Sequence, residues 1–379
     1  MAELCLPPLS LYIHIPWCEK KCPYCDFNSH VSEQIPEQKY IDALLCDLDS
    51  ELVHVQGREL RSIFIGGGTP SLFAPESIAR LLRGIKQRLA MQDGIEITME
   101  ANPGSSEQKK FVALRQAGIN RLSLGIQSFD DTSLQSLGRI HHADQARAAI
   151  RAASEAGFQR INLDLMFGLA GQTAAHAVSD LQQAIAGGAS HISWYQLTIE
   201  PNTRFYRYPP QLPVEDTLAD IQQQGQQVLE QAGFSQYEVS AWCKPGQPSQ
   251  HNLNYWQFGD YLAIGAGAHG KISLPTENRI VRYSKTRGPV DYLARQQNYL
   301  AGSREVQPQE RLLECLMNSL RLVDGMVVDE CLARTGTSLE ALESRCQPLV
   351  AQGLLNLDQR LYASESGFRY LDSVLERLL

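Results

Sequence analysis

The 379-residue sequence has no excess of positive charge, no long apolar run and no cysteine pattern that reads as a disulfide framework. Lys and Arg number 34 against 42 Asp and Glu, for a formal charge of −8. Nucleic-acid backbones are gripped by clustered Lys and Arg. No such run occurs, which excludes nucleic acid as the expected partner. No apolar segment approaches the roughly 18 residues of a membrane helix. The stretch Met1–Ser10 lacks the basic flank and apolar core of a secretory leader, so a cytoplasmic protein is expected. Six of the nine cysteines (Cys5, Cys46, Cys243, Cys315, Cys331 and Cys346) stand singly, whereas Cys18, Cys22 and Cys25 fall together. In a reducing compartment, isolated cysteines read as core or surface thiols and a tight triplet as metal or redox chemistry.

What is present is an ordinary globular composition, 43% hydrophobic and 20% charged. The length exceeds what one compact core usually covers, so a large domain and a smaller one are expected. The first three-fifths alternates strands with amphipathic helices. The expected strands are Leu9–Ile15, Ser62–Gly66, Ile95–Glu100, Arg121–Gln127, Arg160–Met166 and His191–Ile199. The expected helices between them include Pro36–Leu52, Pro75–Leu89 and Ala143–Ala156. Such alternation implies parallel strands joined by crossover helices. A weak repeat supports it: Gln116-Ala-Gly118, Glu155-Ala-Gly157 and Gln231-Ala-Gly233 each close a helix with glycine, the usual left-handed stop, before a strand. Six units favour a partial barrel over a doubly wound sheet, with closure left open by the pattern alone. The fold class expected is therefore α/β, a partial (β/α)6 barrel with a smaller, mainly helical C-terminal domain. Residues 201–250 read as irregular, and 270–304 as rich in loops. Residues 308–379 read as helices with a hairpin-like segment over 353–363. The boundary is expected near Arg304, giving units 1–304 and 305–379, the second winged-helix-like.

Cys18-Glu-Lys-Lys-Cys22-Pro-Tyr24-Cys25 follows directly on the first expected strand. Three thiolates on one short loop can hold three corners of a 4Fe–4S cubane and leave one iron open to a chelating amine and carboxylate. Zinc held by the same sulfurs plus His14 or His30 is the competing reading, although zinc sites usually show paired knuckles. At the C-terminal ends of parallel barrel strands, polar side chains point into the active-site mouth. Glu100, Gln127, Asp164 and Gln196 occupy such ends. Carboxylates there also serve as helix caps.

The Cys-x3-Cys-x2-Cys spacing with Tyr24 before the last cysteine resembles the signature of the radical SAM family. Gly66-Gly67-Gly68-Thr69-Pro70 resembles that family's glycine motif, which contacts the amino group of S-adenosylmethionine (SAM). Glu100, Gln127, Asp164, Arg139, Tyr12 and His269 are similar to SAM-contacting positions of the oxygen-independent coproporphyrinogen oxidase branch. His141 and His142 carry no assignment. The resemblance runs from Tyr12 to Leu316-Met-Asn-Ser-Leu-Arg-Leu322. Two departures count against oxidase activity. Phe27 stands where the oxidase has a further cysteine. The first strand also begins within about ten residues, too short at about 3.4 Å per residue for the oxidase's N-terminal substrate element.

His251-Asn252-Leu-Asn-Tyr255-Trp256 resembles instead the haem-binding signature of a haem-chaperone branch, within a loop region near residues 245–270. Histidine is a standard axial ligand of haem iron, and Tyr and Trp offer flat faces to a porphyrin. The resemblance therefore implies haem b, a 4Fe–4S cluster and SAM as cofactors. It implies acceptor haemoproteins as partners, membrane-associated respiratory proteins among them, and leaves a homodimer open. A radical enzyme acting on a porphyrinogen and a cluster-dependent binding module without radical chemistry are the alternatives.

Overall fold

A computed structural model describes residues 3–32 and 34–379. Strand β1 (Leu9–Ile15) is buried on both faces, as expected of a parallel strand covered on each side. It starts a series of βα units: β2 (Leu60–Gly67), β3 (Met91–Ala101), β4 (Arg121–Gln127), β5 (Arg160–Phe167) and β6 (His191–Gln196). Helices α1 (Glu37–Glu51), α2 (Pro75–Lys86), α3 (Phe111–Ala117), α4 (Ala143–Glu155) and α5 (Ala174–Ala186) form the crossovers. The logic of α2 is typical. Ile78, Leu81, Leu82 and Ile85 make one buried stripe, Pro75 opens the helix, Glu76 lies in its first turn, and Arg83 and Lys86 lie in its last. Each such buried aliphatic side chain contributes about 1.5–3 kcal/mol. The three repeated glycines, Gly118, Gly157 and Gly233, have φ of 118°, 86° and 75°, the left-handed stops that the repeat implied.

The chain continues through α6 (Glu215–Gln231), β7 (Ser235–Glu238), β8 (Ala241–Cys243), α7 (Gln250–Trp256) and β9 (Asp260–Ile264). Three further strands follow: β10 (His269–Leu274), β11 (Arg279–Lys285) and β12 (Leu300–Glu305). All twelve strands share one sheet, ordered β12-β11-β10-β9-β1-β2-β3-β4-β5-β6-β8-β7. The run from β9 to β6 is parallel; both flanks are antiparallel. β12 and β7 end the sheet without pairing to each other, so the barrel is partial.

Two expectations need correction. Residues 201–250 contain the 17-residue helix α6. Its Gly225 reads as a breaker, yet a Cβ there would meet the Trp194 ring at 2.0 Å, so glycine is what lets α6 lie against β6. Residues 270–304 form antiparallel strands and not loops. The buried Lys285 on β11 ties them to α1, reaching Asp47 at 2.6 Å and also pairing with Glu51.

The C-terminal region comprises α8 (Pro308–Ser319), α9 (Val328–Thr335), α10 (Leu339–Val350) and a hairpin of Leu355–Leu357 with Arg360–Ala363. Its core of Leu316, Leu320, Cys331, Leu342 and Cys346 is continuous with Leu4, Phe258 and Ile280. Among the described residues, no helix is long and apolar enough to cross a membrane.

Candidate cofactor site

After β1 the chain makes a short parallel pairing of Trp17–Cys18 with His30–Val31, which closes the cysteine loop on itself. The glycine motif ending β2 docks beneath it. Gly68 N–H donates to Ile15 O at 2.8 Å and Thr69 N–H to Trp17 O at 2.7 Å. This approach leaves no room for side chains: a Cβ at Gly68 would lie 2.3 Å from Trp17 O, and at Gly67 (φ 121°) 2.7 Å from the His14 ring.

Loop and strand ends together enclose a cavity of about 340 Å³, at the small end of ligand pockets. Of the residues picked out in the sequence, Cys18, Cys22, Cys25, Tyr24, Gly67, Gly68, Thr69, Glu100, Gln127, Arg139, Asp164 and Asn252 line it. Tyr12 lies behind the wall, its hydroxyl 2.8 Å from His14 Nδ1 and its ring stacked on Phe64. Gln196 and His269 are solvent-exposed and outside the lining. Sequence reasoning missed Asn102 and Tyr195. Asn102 accepts a hydrogen bond from Arg139 Nη2 at 2.8 Å, and the Tyr195 hydroxyl donates to Gln127 Oε1 at 2.8 Å. The signal for Tyr195 was its place on the sixth strand, two residues after Ser193.

Charge in the cavity is unbalanced. Glu100 is buried and accepts from Gly67 N–H at 3.0 Å. Burial, reinforced by the Asp164 carboxylate, pushes its carboxyl up to about 8. Asp164 is also raised by burial, against the pull of hydrogen bonds from Asn162, Ser123 and Ser193. Arg139 turns away from both acids, placing Nη1 3.7 Å from Cys22 Sγ while Nη2 donates to Gly125 O at 2.7 Å. Its buried Nε has no partner. Gln127 has φ 70°, an uncommon left-handed conformation that turns the end of β4 at the cavity.

These donors suit the groups the cysteine motif implies. Burial raises the Cys18 and Cys25 thiols, a penalty that positively charged iron relieves. Arg121 offsets Asp164, while burial and the Asp164 carboxylate hold the Glu100 carboxyl up, so Glu100 is the acid that suits a ligand ammonium. Among the described residues, no three His, Cys, Asp or Glu side chains gather closely enough to hold a single ion; corners of a cubane do not need to. His14, the candidate fourth zinc ligand, has both ring nitrogens engaged, with Nε2 2.8 Å from Asn28 O and Nδ1 on Tyr12.

The second motif lies on α7, at the N-terminal ends of the strands. Ser249 caps the helix, and Glu96 from β3 accepts the N–H groups of Gln250 and His251, each at 3.1 Å, while pairing with Arg160 at 2.9 Å. The His251 ring is enclosed: Nδ1 is 3.0 Å from Ser62 Oγ and the ring centroid 5.1 Å from Phe64. Burial lowers its pKa to about 4, so the imidazole is neutral. Tyr255 and Trp256 face another way. Tyr255 packs 5.3 Å from Tyr261, and Trp256 lies 4.6 Å beneath the Arg321 guanidinium. The four motif residues therefore do not share one open face.

The radical SAM superfamily matches residues 12–184, and the HemN C-terminal domain matches residues 306–370. The haem chaperone HemW of Haemophilus influenzae is 51% identical over 99% of this chain and 98% of its own. HemW of Escherichia coli is 48% identical over 99% of both chains. HemW of Bacillus subtilis is 34% identical over 94% of this chain and 96% of its own. Among solved structures, the coproporphyrinogen III oxidase HemN of Escherichia coli, described as a radical SAM enzyme, superposes with a TM-score of 0.83. At 22% identity over 98% of this chain and 90% of that one, it speaks for the fold alone.

Proposed function

The chain belongs to the HemW family of haem chaperones, and from that premise we propose that it binds haem b and delivers it to acceptor haemoproteins in the cytoplasm. The observation that carries this reading is the near-complete likeness to haem chaperones, at 34–51% identity, in a chain whose cysteine loop closes over a cavity. In this reading Cys18, Cys22 and Cys25 hold a 4Fe–4S cluster, and SAM fills the rest of the cavity. Bound there, such a cluster offers one open iron and one electron.

The protein's own part is positioning. Arg139 pins Cys22 through a charge-assisted contact and is itself fixed by Asn102 and Gly125. Glu100, in its ionised form, accepts from a ligand ammonium beside Gly67, and Asp164 supplies a second negative charge two strands along. Tyr195 holds Gln127 in its left-handed conformation, aimed at the cavity. Residues 305–379 form the second unit in this reading and brace α7 through Asn318, which donates to Tyr255 O at 3.3 Å.

Placement of His251 constrains how haem is held. A neutral imidazole whose Nδ1 is engaged by Ser62 is in the right protonation state to ligate through Nε2. The deciding experiment reconstitutes the protein anaerobically and titrates it with haem at the Soret band, with coproporphyrinogen III turnover assayed in parallel. A stoichiometric haem complex without turnover is expected. Turnover with 5′-deoxyadenosine release and no haem complex contradicts the chaperone reading.

A further inference from the structure

Next to the cysteine loop lies a surface that neither cofactor uses. The segment from Thr203 to Val214 joins β6 to α6 and is held firmly at its start. Thr203 Oγ1 donates to Glu200 O at 2.7 Å and accepts from Tyr206 N–H at 3.1 Å. Phe205 N–H donates to Pro23 O at 2.9 Å, inside the cysteine loop. The Phe205 ring lies 6.4 Å from Tyr24, and both pack on the small core of Leu137, Met166, Leu169 and Leu197. Anchored in this way, the segment turns large side chains outward: Tyr206 is 61% and Tyr208 64% exposed. On the cysteine loop itself, Phe27 is 61% exposed at the cavity rim. Exposed aromatics on a fixed backbone cost apolar hydration with no compensating fold contact, and clusters of them mark binding surfaces.

Their neighbours include cations outside any ion pair. Arg204 and Arg207 stand three residues apart on one short turn, and the Arg207 guanidinium lies 5.5 Å above the Tyr208 ring. Lys20 and Lys21 lie at the cavity rim. Among the described residues, none of these four forms an ion pair. Flat apolar area next to unpaired guanidinium and ammonium groups matches a flat macrocycle carrying two carboxylates on one edge. The alternative place for the macrocycle, around His251, is more crowded, its half-buried ring packed beside Ser62, Phe64 and Tyr12.

We propose that haem docks first on this platform, its macrocycle against Tyr206 and Tyr208 and its propionates on Arg204 and Arg207, beside the cofactor cavity. The proposal rests on the haem-chaperone reading and names where the cargo is received. It also separates reception at the mouth from any later ligation by His251.

The test uses the full chain, reconstituted with its cluster, and the double variant Arg204→Glu/Arg207→Glu. Both sites are exposed, so folding and cluster content should be unchanged, as checked by iron per chain. Haem affinity from Soret titration should fall by about tenfold, as two surface charge contacts become repulsions. With haem dimethyl ester, which lacks the carboxylates, wild type and variant should bind alike. Tyr206→Ala/Tyr208→Ala should weaken haem and its diester equally. Unchanged haem affinity in both double variants overturns the proposal. So does a variant that binds haem normally but passes it slowly to an apo-haemoprotein, because the surface then serves the acceptor. If the wild type forms no haem complex at all, the chaperone reading itself fails.

Discussion

The barrel interior has two polar regions, and they are finished to different degrees. At the floor, the N-terminal ends of the strands, Glu96 has its oxygens occupied by two backbone N–H groups, the Ser249 hydroxyl and Arg160. His191 bridges Asn162 at 2.6 Å and Tyr237 at 2.9 Å. At the mouth, burial and the Asp164 carboxylate hold the Glu100 carboxyl up, Arg121 offsets Asp164 alone, Arg139 keeps a buried nitrogen without a partner, and no disulfide ties the three thiols. A buried polar group left without a partner costs about 1–3 kcal/mol. Arg160 Nε at the floor is likewise buried without a partner, but the floor acid Glu96 is paired whereas Glu100 at the mouth is held up by burial and by Asp164, which is what a site for a cationic ligand requires.

That contrast is open to attack from both sides. The largest effect is expected at the mouth: Cys22→Ala should abolish the reconstituted cluster, with iron per chain falling to background and unfolding free energy nearly unchanged. Full iron content in that variant removes Cys22 from the ligand set. Glu96→Ala should do the opposite. It strands Arg160 and uncaps α7, so urea denaturation should show a loss of roughly 3 kcal/mol. The cluster, a layer away, should still assemble. A stable Glu96→Ala protein would mean that the floor is not the scaffold described.

The smallest effect is a pH dependence. Glu100 binds a cation only when ionised, and burial, with Asp164, raises its carboxyl to about 8. Below that pH a proton must leave first. SAM affinity should therefore fall by about tenfold per pH unit below 8 and level off above it. The sign for stability is the reverse: a raised carboxyl costs the ligand-free fold stability as pH climbs from the ordinary carboxylate range to about 8. Glu100→Gln should flatten both profiles, as equilibrium binding and denaturation at several pH values would show.

The comparison also explains what could be read from the sequence. The mouth was legible because its chemistry sits in short contiguous motifs, such as Cys18 to Cys25 and Gly66 to Pro70, and at the ends of nearly continuous buried strands. Strands Leu9–Ile15 and Arg121–Gln127 have the expected bounds because both are apolar runs closed by turn residues. The floor was hidden because its partners are far apart in the chain: Glu96 meets Gln250 and His251 only after folding. The motif at His251 was visible, but not that its imidazole would face Ser62 while Trp256 faces Arg321. Helix α6 was obscured by the Pro, Gln and Gly content of residues 201–250; its Gly225 is there because a Trp194 ring from another element leaves no room for a side chain. Gln196, picked out as a strand end, and His269, picked out by family resemblance, lie outside the cavity lining because neither signal reveals which way the side chain turns.

The account's central claim is that the mouth is an incomplete polar site completed by a cluster and SAM together. The most direct measurement is the electron paramagnetic resonance spectrum of the reconstituted, reduced protein with and without SAM, in wild type and in Glu100→Gln. The account predicts a cluster signal that shifts when SAM is added, with weaker saturation in the variant. A signal indifferent to SAM in the wild type, despite full iron content, would contradict it.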